Sequence, residues 1–220
     1  YKDLNLKIRI DIMKKTLFSN IGNRNISYKG YYIEQYIREK KLNDNFLSFS
    51  KKIWNNFESE KKYLQPVILN SLLDHVHNEV DEVVLFSSKQ GDIDRTSQDT
   101  VFEGEILACL LKEIYPHISF TNFYFSTPVY DYNALIKTFR GYFISFIREN
   151  PEKPVMYCDA GGTSQQKFSA KIMLEYLYNS DRLDVYYVSL GENYESRVKK
   201  ANPYEYRKII DKENIGIAID

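Results

Sequence analysis

The apolar positions of the chain change period repeatedly, and each change marks an element. Leu4, Leu6, Ile8, Ile10 and Ile12 alternate with polar residues, the period of an edge strand. Residues 1–12 also precede Met13, so they read equally as an upstream leader or tag. Lys15–Ser19 (KTLFS) is the first core strand, and an asparagine-rich loop, Asn20–Tyr28, follows it. Residues 29–62 hold a polar helical stretch, YYIEQYIREKK, and then an irregular region around Asn43–Asn56. Leu64, Val67, Ile68, Leu72, Leu73 and Val76 recur at helical spacing. Glu82–Ser87 is the second strand and Ser88–Asp99 a long polar loop. Val101, Ile106, Leu107, Leu110, Leu111 and Ile114 make a helix, with Pro116 beyond its end. His117–Phe125 is the third strand, and Leu135, Ile136, Phe139, Phe143, Phe146 and Ile147 share one face of the next helix.

The fourth strand, Val155–Cys158, runs into Gly161 and Gly162, which supply a sharp turn because glycine tolerates positive φ. Thr163 or Ser164 then caps a helix. Phe168, Ile172, Met173, Tyr176 and Leu177 are expected to pack that helix on a sheet. Leu183–Leu190 is the fifth strand. Beyond Gly191 the pattern weakens: Tyr194–Lys200 and Tyr204–Lys208 are polar and basic, and Ile215–Ile219 reads as a short strand. The expected division is 1–12 as leader, tag or edge strand, 13–190 as one α/β domain, and 191–220 as an extension.

Alternating strands and helices predict an α/β fold, a Rossmann-like parallel sheet with helices on both faces. In the strand order 3-2-1-4-5 the first and fourth strands are neighbours, and ligands bind beyond their C-terminal ends. The loops that meet there are Asn20–Tyr28 and Asp159–Ser164. Asn20, Asn23 and Asn25 can donate and accept, Arg24 can fork onto phosphate, and Thr163, Ser164, Gln165 and Lys167 add donors opposite. A helix start favours an anion such as a phosphate.

Charge narrows this picture. Thirty basic residues balance thirty acidic ones, so no overall field favours duplex nucleic acid and an anion site must be local. The two cysteines, Cys109 and Cys158, sit in apolar runs as free thiols of a reducing compartment. No apolar run reaches the length of a membrane span and no secretory signal is visible, so a cytoplasmic protein is the default. A nicotinamide dehydrogenase is disfavoured: no G-x-G-x-x-G follows the first strand, no acidic residue ends the second, and a Walker A loop is absent. Asp92, Asp94, Thr96 and Asp99 lack the glycine and bidentate glutamate of a calcium loop and read as solvated. His75 and His77 point apart on their helix and His117 is distant in sequence, so neither a metal nor a cofactor is expected. Cys158 has no histidine nearby in sequence, and Asp159 reads as a residue that hydrogen-bonds loop amides, or as a general base.

The element LFSNIGNR at the first strand, the GGT turn after the fourth and the strand–helix order resemble a CRISPR-associated Rossmann-fold (CARF) domain over roughly Lys14 to Leu190. Members sense cyclic oligoadenylates made in type III CRISPR antiviral responses, usually as dimers with the ligand across the two-fold axis. The family's first loop maps onto Ser19–Asn25 and its glycine–threonine turn onto Gly161–Lys167. The resemblance implies ligand contacts from Ser19, Asn20, Gly22, Asn23, Arg24, Asn25, Gly161, Gly162, Thr163, Ser164, Gln165 and Lys167. In several members proline follows the threonine, where this chain has Ser164. A two-fold dimer offers matched half-sites to cyclic tetra-adenylate, itself two-fold symmetric. Family effectors usually carry a second, destructive domain. Residues 191–220 are too short for one and no R-x4-6-H motif appears, so the expected output is a missing effector or a partner, and catalytic residues stay unassigned. Slow cleavage of the ligand, assisted by Arg24, Thr163, Ser164 and Lys167, stays open. So do a nucleotide-acting α/β enzyme using Asp159 and a ligand-controlled transcriptional regulator.

Overall fold

Three short runs are apolar on both faces: Leu17–Phe18, Val83–Phe86 and Val155–Tyr157, all at most 2% exposed. Such runs suit central parallel strands covered on both sides. In the computed structural model, which describes residues 13–90, 96–179, 181–190 and 196–201, they are the middle of a six-stranded sheet. Its strands are β1 (Lys15–Asn20), β5 (Val80–Ser88), β6 (Ser119–Phe125), β7 (Val155–Cys158), β8 (Leu183–Leu190) and β9 (Ser196–Ala201). Their order is β6-β5-β1-β7-β8-β9, parallel except for β9, which runs antiparallel to β8. The Rossmann order is therefore present, and the switch point lies between β1 and β7, where Ser19 pairs with Cys158.

Helices cover both faces. Leu17, Leu85 and Met156 pack with α4 (Ile68–Val76) and α5 (Val101–Ile114). Phe18, Phe86 and Tyr157 pack with α6 (Tyr132–Glu149) and α7 (Ser164–Leu177). The second layer is strongly aromatic: Phe18, Phe86, Phe139 and Phe143 meet with ring centroids 5.1–6.1 Å apart. Each fully buried ring there contributes about 1.5–3 kcal/mol.

Between β1 and β5 the chain builds a small antiparallel sheet from β2 (Ile26–Tyr28), β3 (Tyr31–Tyr32) and β4 (Leu64–Pro66), with α1 (Ile33–Glu39), α2 (Phe46–Asn55) and α3 (Phe57–Glu60). Here the structure departs from the sequence reading. The region expected to be irregular contains α2, started by a reciprocal capping box: Asn45 Oδ1 accepts from the Ser48 amide at 2.8 Å, and Ser48 Oγ from the Asn45 amide at 3.1 Å. Leu64 belongs to β4 rather than to the following helix, which begins at Ile68.

Two further departures lie nearer the C-terminus. β9 extends the sheet beyond Leu190, where the pattern had weakened. Of the stripe expected to pack α7 on the sheet, Met173 and Leu177 pack against the core, whereas Phe168, 51% exposed, Ile172, 38%, and Tyr176, 73%, face outward. Gln166, Ser169 and Ala170, together with Leu174, fill the buried face. The alternation over residues 1–12, Asp92 and Asp94, Tyr204–Lys208 and the strand expected at Ile215–Ile219 lie outside the described residues.

Candidate functional site

The β7–α7 turn is built by local rules. Gly161 and Gly162 adopt φ of 77° and 69°, the left-handed region where a Cβ is strained. Space forbids side chains there as well: a Cβ on Gly161 would lie 2.4 Å from the Asn20 carbonyl oxygen, and one on Gly162 2.9 Å from Asn20 Cβ. Across the gap, a Cβ on Gly22 would meet the Gly162 nitrogen at 2.4 Å. The loops after β1 and β7 thus touch backbone to backbone.

Thr163 starts α7 with a second capping box. Its Oγ1 accepts from the Gln166 amide at 3.2 Å, and Gln166 Oε1 accepts from the Thr163 amide at 2.6 Å. The same hydroxyl donates to the Val129 carbonyl at 2.9 Å, tying the turn to the loop after β6. Gln166 is only 2% exposed, and its Nε2 has no hydrogen-bond partner in the described structure. A buried donor left unpaired costs about 1–3 kcal/mol. Placed at the first turn of a helix, it adds to the positive end of the dipole and to the amides that favour an anion.

The loop after β1 is held by distant partners. Asn20 Nδ2 donates to the Tyr157 hydroxyl at 2.7 Å, which donates to the Lys167 carbonyl at 3.2 Å. Asn25 Nδ2 donates to the Gly22 carbonyl at 2.9 Å, and the Asn25 carbonyl accepts from the Val67 amide at 2.8 Å. Glu103, in the first turn of α5, accepts the Asn25 and Ile26 amides. Asn23 Nδ2 donates to Glu34 of α1.

A cleft of about 200 Å³ opens where these loops meet. Gly22, Asn23, Gly162, Thr163 and Gln165 line it, together with Gln166. Ser19, Asn20 and Asn25 are fully buried, and Ser19 Oγ, Asn20 Nδ2 and Asn25 Nδ2 donate to the Asn20 carbonyl, the Tyr157 hydroxyl and the Gly22 carbonyl. Arg24 is exposed in an adjoining recess with Asn23, Tyr32 and Arg38. Ser164 is exposed on the first turn of α7, while Gly161 and Lys167 are not among the residues lining the cleft.

Sequence reasoning missed one wall. Gln90, 4% exposed, donates through Nε2 and its amide to the two Asp99 oxygens at 2.8 and 2.7 Å, and its Oε1 accepts from the Val129 amide at 3.1 Å. Asp99, expected in a solvated loop, is 3% exposed and clamps this wall. Glu34, Phe46 and Gln98 also reach the cleft. The available signal was positional: Gln90 and Asp99 flank the loop after β5, beside the switch point.

The titratable groups nearby argue against nucleophilic chemistry. Burial pushes the Cys158 thiol up to about 12, so it stays an inert thiol. Burial also raises Asp159, against the pull of Lys171 and Lys167, but Asp159 is not among the residues lining the cleft. Among the described residues no group of three His, Cys, Asp or Glu side chains could hold a metal ion, and no helix is long and apolar enough to cross a membrane. A larger groove, about 1200 Å³, lies between α2, α3, α5 and β6. Its walls include Trp54, Phe57, Phe120 and the carboxylates Glu105 and Glu113, which suit an anion poorly.

No family model and no curated protein matches the chain. Among solved structures, Enterococcus italicus Csm6 bound to cyclic hexa-2'-fluoro-hexa-dAMP is similar, with a TM-score of 0.50 and 17% identity. The match covers 91% of this chain and 38% of that one, so this chain spans well under half of its neighbour's length. At that identity the likeness shows a shared fold alone: an α/β, Rossmann-like sheet with helices on both faces.

Proposed function

We propose that the chain is a CARF-type sensor that binds a cyclic oligoadenylate in the cleft between the loops after β1 and β7. The observation that carries this reading is the capped α7 N-terminus, whose buried Gln166 Nε2 lacks a partner, standing at the switch point of a fold shared with a protein solved with such a ring. Ring phosphates meet the α7 start and Gln165. Arg24 reaches a further phosphate from the neighbouring recess. Asn23, Glu34 and Gln98 offer donors and acceptors to base edges.

The cleft is too small to enclose a ring, being below the 300 Å³ or so of an ordinary ligand pocket. A ring must therefore lie across its mouth and use a second half-site. A homodimer supplies that half-site, and the outward stripe of α7 is the face we assign to it. Phe168 meets Tyr132 edge-on at 5.5 Å, and Ile172 and Tyr176 continue the stripe away from the cleft. Two-fold symmetry favours an even-membered ring over the tri-adenylate, and cyclic tetra-adenylate is the smallest that fits it. The six-unit ring in the Csm6 structure makes the hexa-adenylate its competitor. The output is an effector region or a partner, in a cytoplasmic antiviral response.

Thermal unfolding with cyclic tri-, tetra- and hexa-adenylate tests this directly. A ligand at about 100 times its Kd stabilises by about 2.7 kcal/mol, a shift of several degrees for a domain of this size. One ring is expected to raise Tm, and sedimentation is expected to show a dimer. An unchanged Tm with every ring, in a monomeric protein, contradicts the reading.

A further inference from the structure

Glu103 lies outside the cleft and is among the most deeply buried acidic residues described. It is 0% exposed. Acidic side chains are almost never fully buried unless paired. Its Oε1 accepts the Asn25 amide at 3.1 Å and the Ile26 amide at 3.2 Å, while Oε2 has no partner in the described structure. Both partners are main-chain groups of the loop after β1, more than seventy residues away in sequence.

The geometry departs from the usual work of this position. Glu103 is the third residue of α5, after the cap Thr100. A glutamate there commonly turns back to bind its own cap's amide. Here Ser88 Oγ accepts the Thr100 amide at 3.1 Å, so Glu103 is released to reach across to the loop. The residue it holds is the hub of the cleft floor. Asn25 also fixes Gly22 through its side chain and Val67 through its carbonyl. It lies so close to Gly161 that a Cβ there would come within 2.9 Å of Asn25 Nδ2. Desolvation raises the carboxyl; the Asn25 and Ile26 amides pull it back down, and Glu34 raises it further, so burial outweighs the two hydrogen bonds.

We propose that Glu103 is the positioning residue of the cleft: its buried carboxyl fixes the Asn25–Ile26 backbone, and through Asn25 the spacing of the two loops that take the ligand. The proposal rests on the reading of the cleft as a ring-binding site, and its test separates the two. Amide hydrogen exchange is measured residue by residue on wild type, Glu103→Ala and Glu103→Gln, alongside ring affinity. Glu103→Ala is expected to speed exchange by about tenfold or more at Ile26, which loses its acceptor, and by less at Asn25, whose amide keeps the longer bond to the Gly22 carbonyl at 3.3 Å, leaving β5 and β7 protected. It should weaken ring binding by a similar factor. Glu103→Gln keeps the accepting oxygen and is expected to restore both. Unchanged exchange at Asn25 and Ile26 in Glu103→Ala overturns the proposal. So does ring affinity that stays at the wild-type value in Glu103→Ala. If Glu103→Ala does not fold, a folded Glu103→Gln with unprotected Asn25 and Ile26 overturns it instead. The exchange readout needs no ligand, so failure of every ring to bind strikes the sensor reading and leaves the positioning result standing.

Discussion

Two of the walls of the cleft are built by opposite means. The β7–α7 wall is nearly self-sufficient: two left-handed glycines and a Thr–Gln capping box, all within six residues, fix its shape. The β1 wall owes its shape to groups far away in sequence, namely Tyr157, Val67 and Glu103, with Glu34 nearer by. The first wall is rigid by local rule. The second is as rigid as the contacts behind it, and it can be loosened from a distance without touching a ligand group.

The largest effect should come from forcing the local wall. Gly162→Gln combines about 1–2 kcal/mol of left-handed strain with overpacking of about 1–3 kcal/mol against Asn20 and Gln166. Denaturant unfolding should show a loss of about 3 kcal/mol, and ring binding should vanish. If stability and binding both survive, the close approach of the loops is not required.

On the distant wall, Asn25→Ala removes the bond to the Gly22 carbonyl and should cost about 1–2 kcal/mol. Its ring binding should weaken more than that of Thr163→Ala, which loses a cap worth about 1 kcal/mol but keeps the glycine turn. Calorimetry showing the reverse order would dissolve the contrast between the walls.

Glu103 gives the contrast a pH signature. Its folded pKa lies above its unfolded one, so the folded state holds the proton more tightly. The stability it lends is complete below the ordinary carboxylate range and falls as pH rises through the raised value. Wild type should therefore lose stability relative to Glu103→Gln from mildly acidic pH upward, as followed by denaturant midpoints. Equal pH profiles would mean that Glu103 does not titrate in its buried site.

Arg24→Ala should be the mildest change. The side chain is exposed in its recess, so stability should move by less than about 0.5 kcal/mol while ring affinity falls and its salt dependence shrinks. A large loss of stability would place Arg24 among the framework residues instead.

The same contrast explains what could be read in advance. Strand runs such as Leu17–Phe18 and Val155–Tyr157, and the glycine–threonine turn, carry their conformations in adjacent residues, so the sheet order and the local wall were legible. The distant wall was not, because no pattern around Glu103 or Gln90 announces a partner across the fold. Helix α7 misled for a related reason. Its large residues Phe168, Ile172 and Tyr176 recur at helical spacing, and periodicity marks a face without saying whether the chain's own sheet covers it. The face its own fold buries carries Gln166, Ser169, Ala170 and Leu174 instead. Helix α2 escaped notice because its capping box is made of Asn and Ser, residues that equally signal a loop.

The most direct measurement is isothermal titration calorimetry of the wild-type protein with cyclic tri-, tetra- and hexa-adenylate, reading stoichiometry as well as heat. The account predicts that one ring binds at one molecule per two chains, because each chain supplies half of a site. No heat with any ring, from protein shown to be folded, would contradict it.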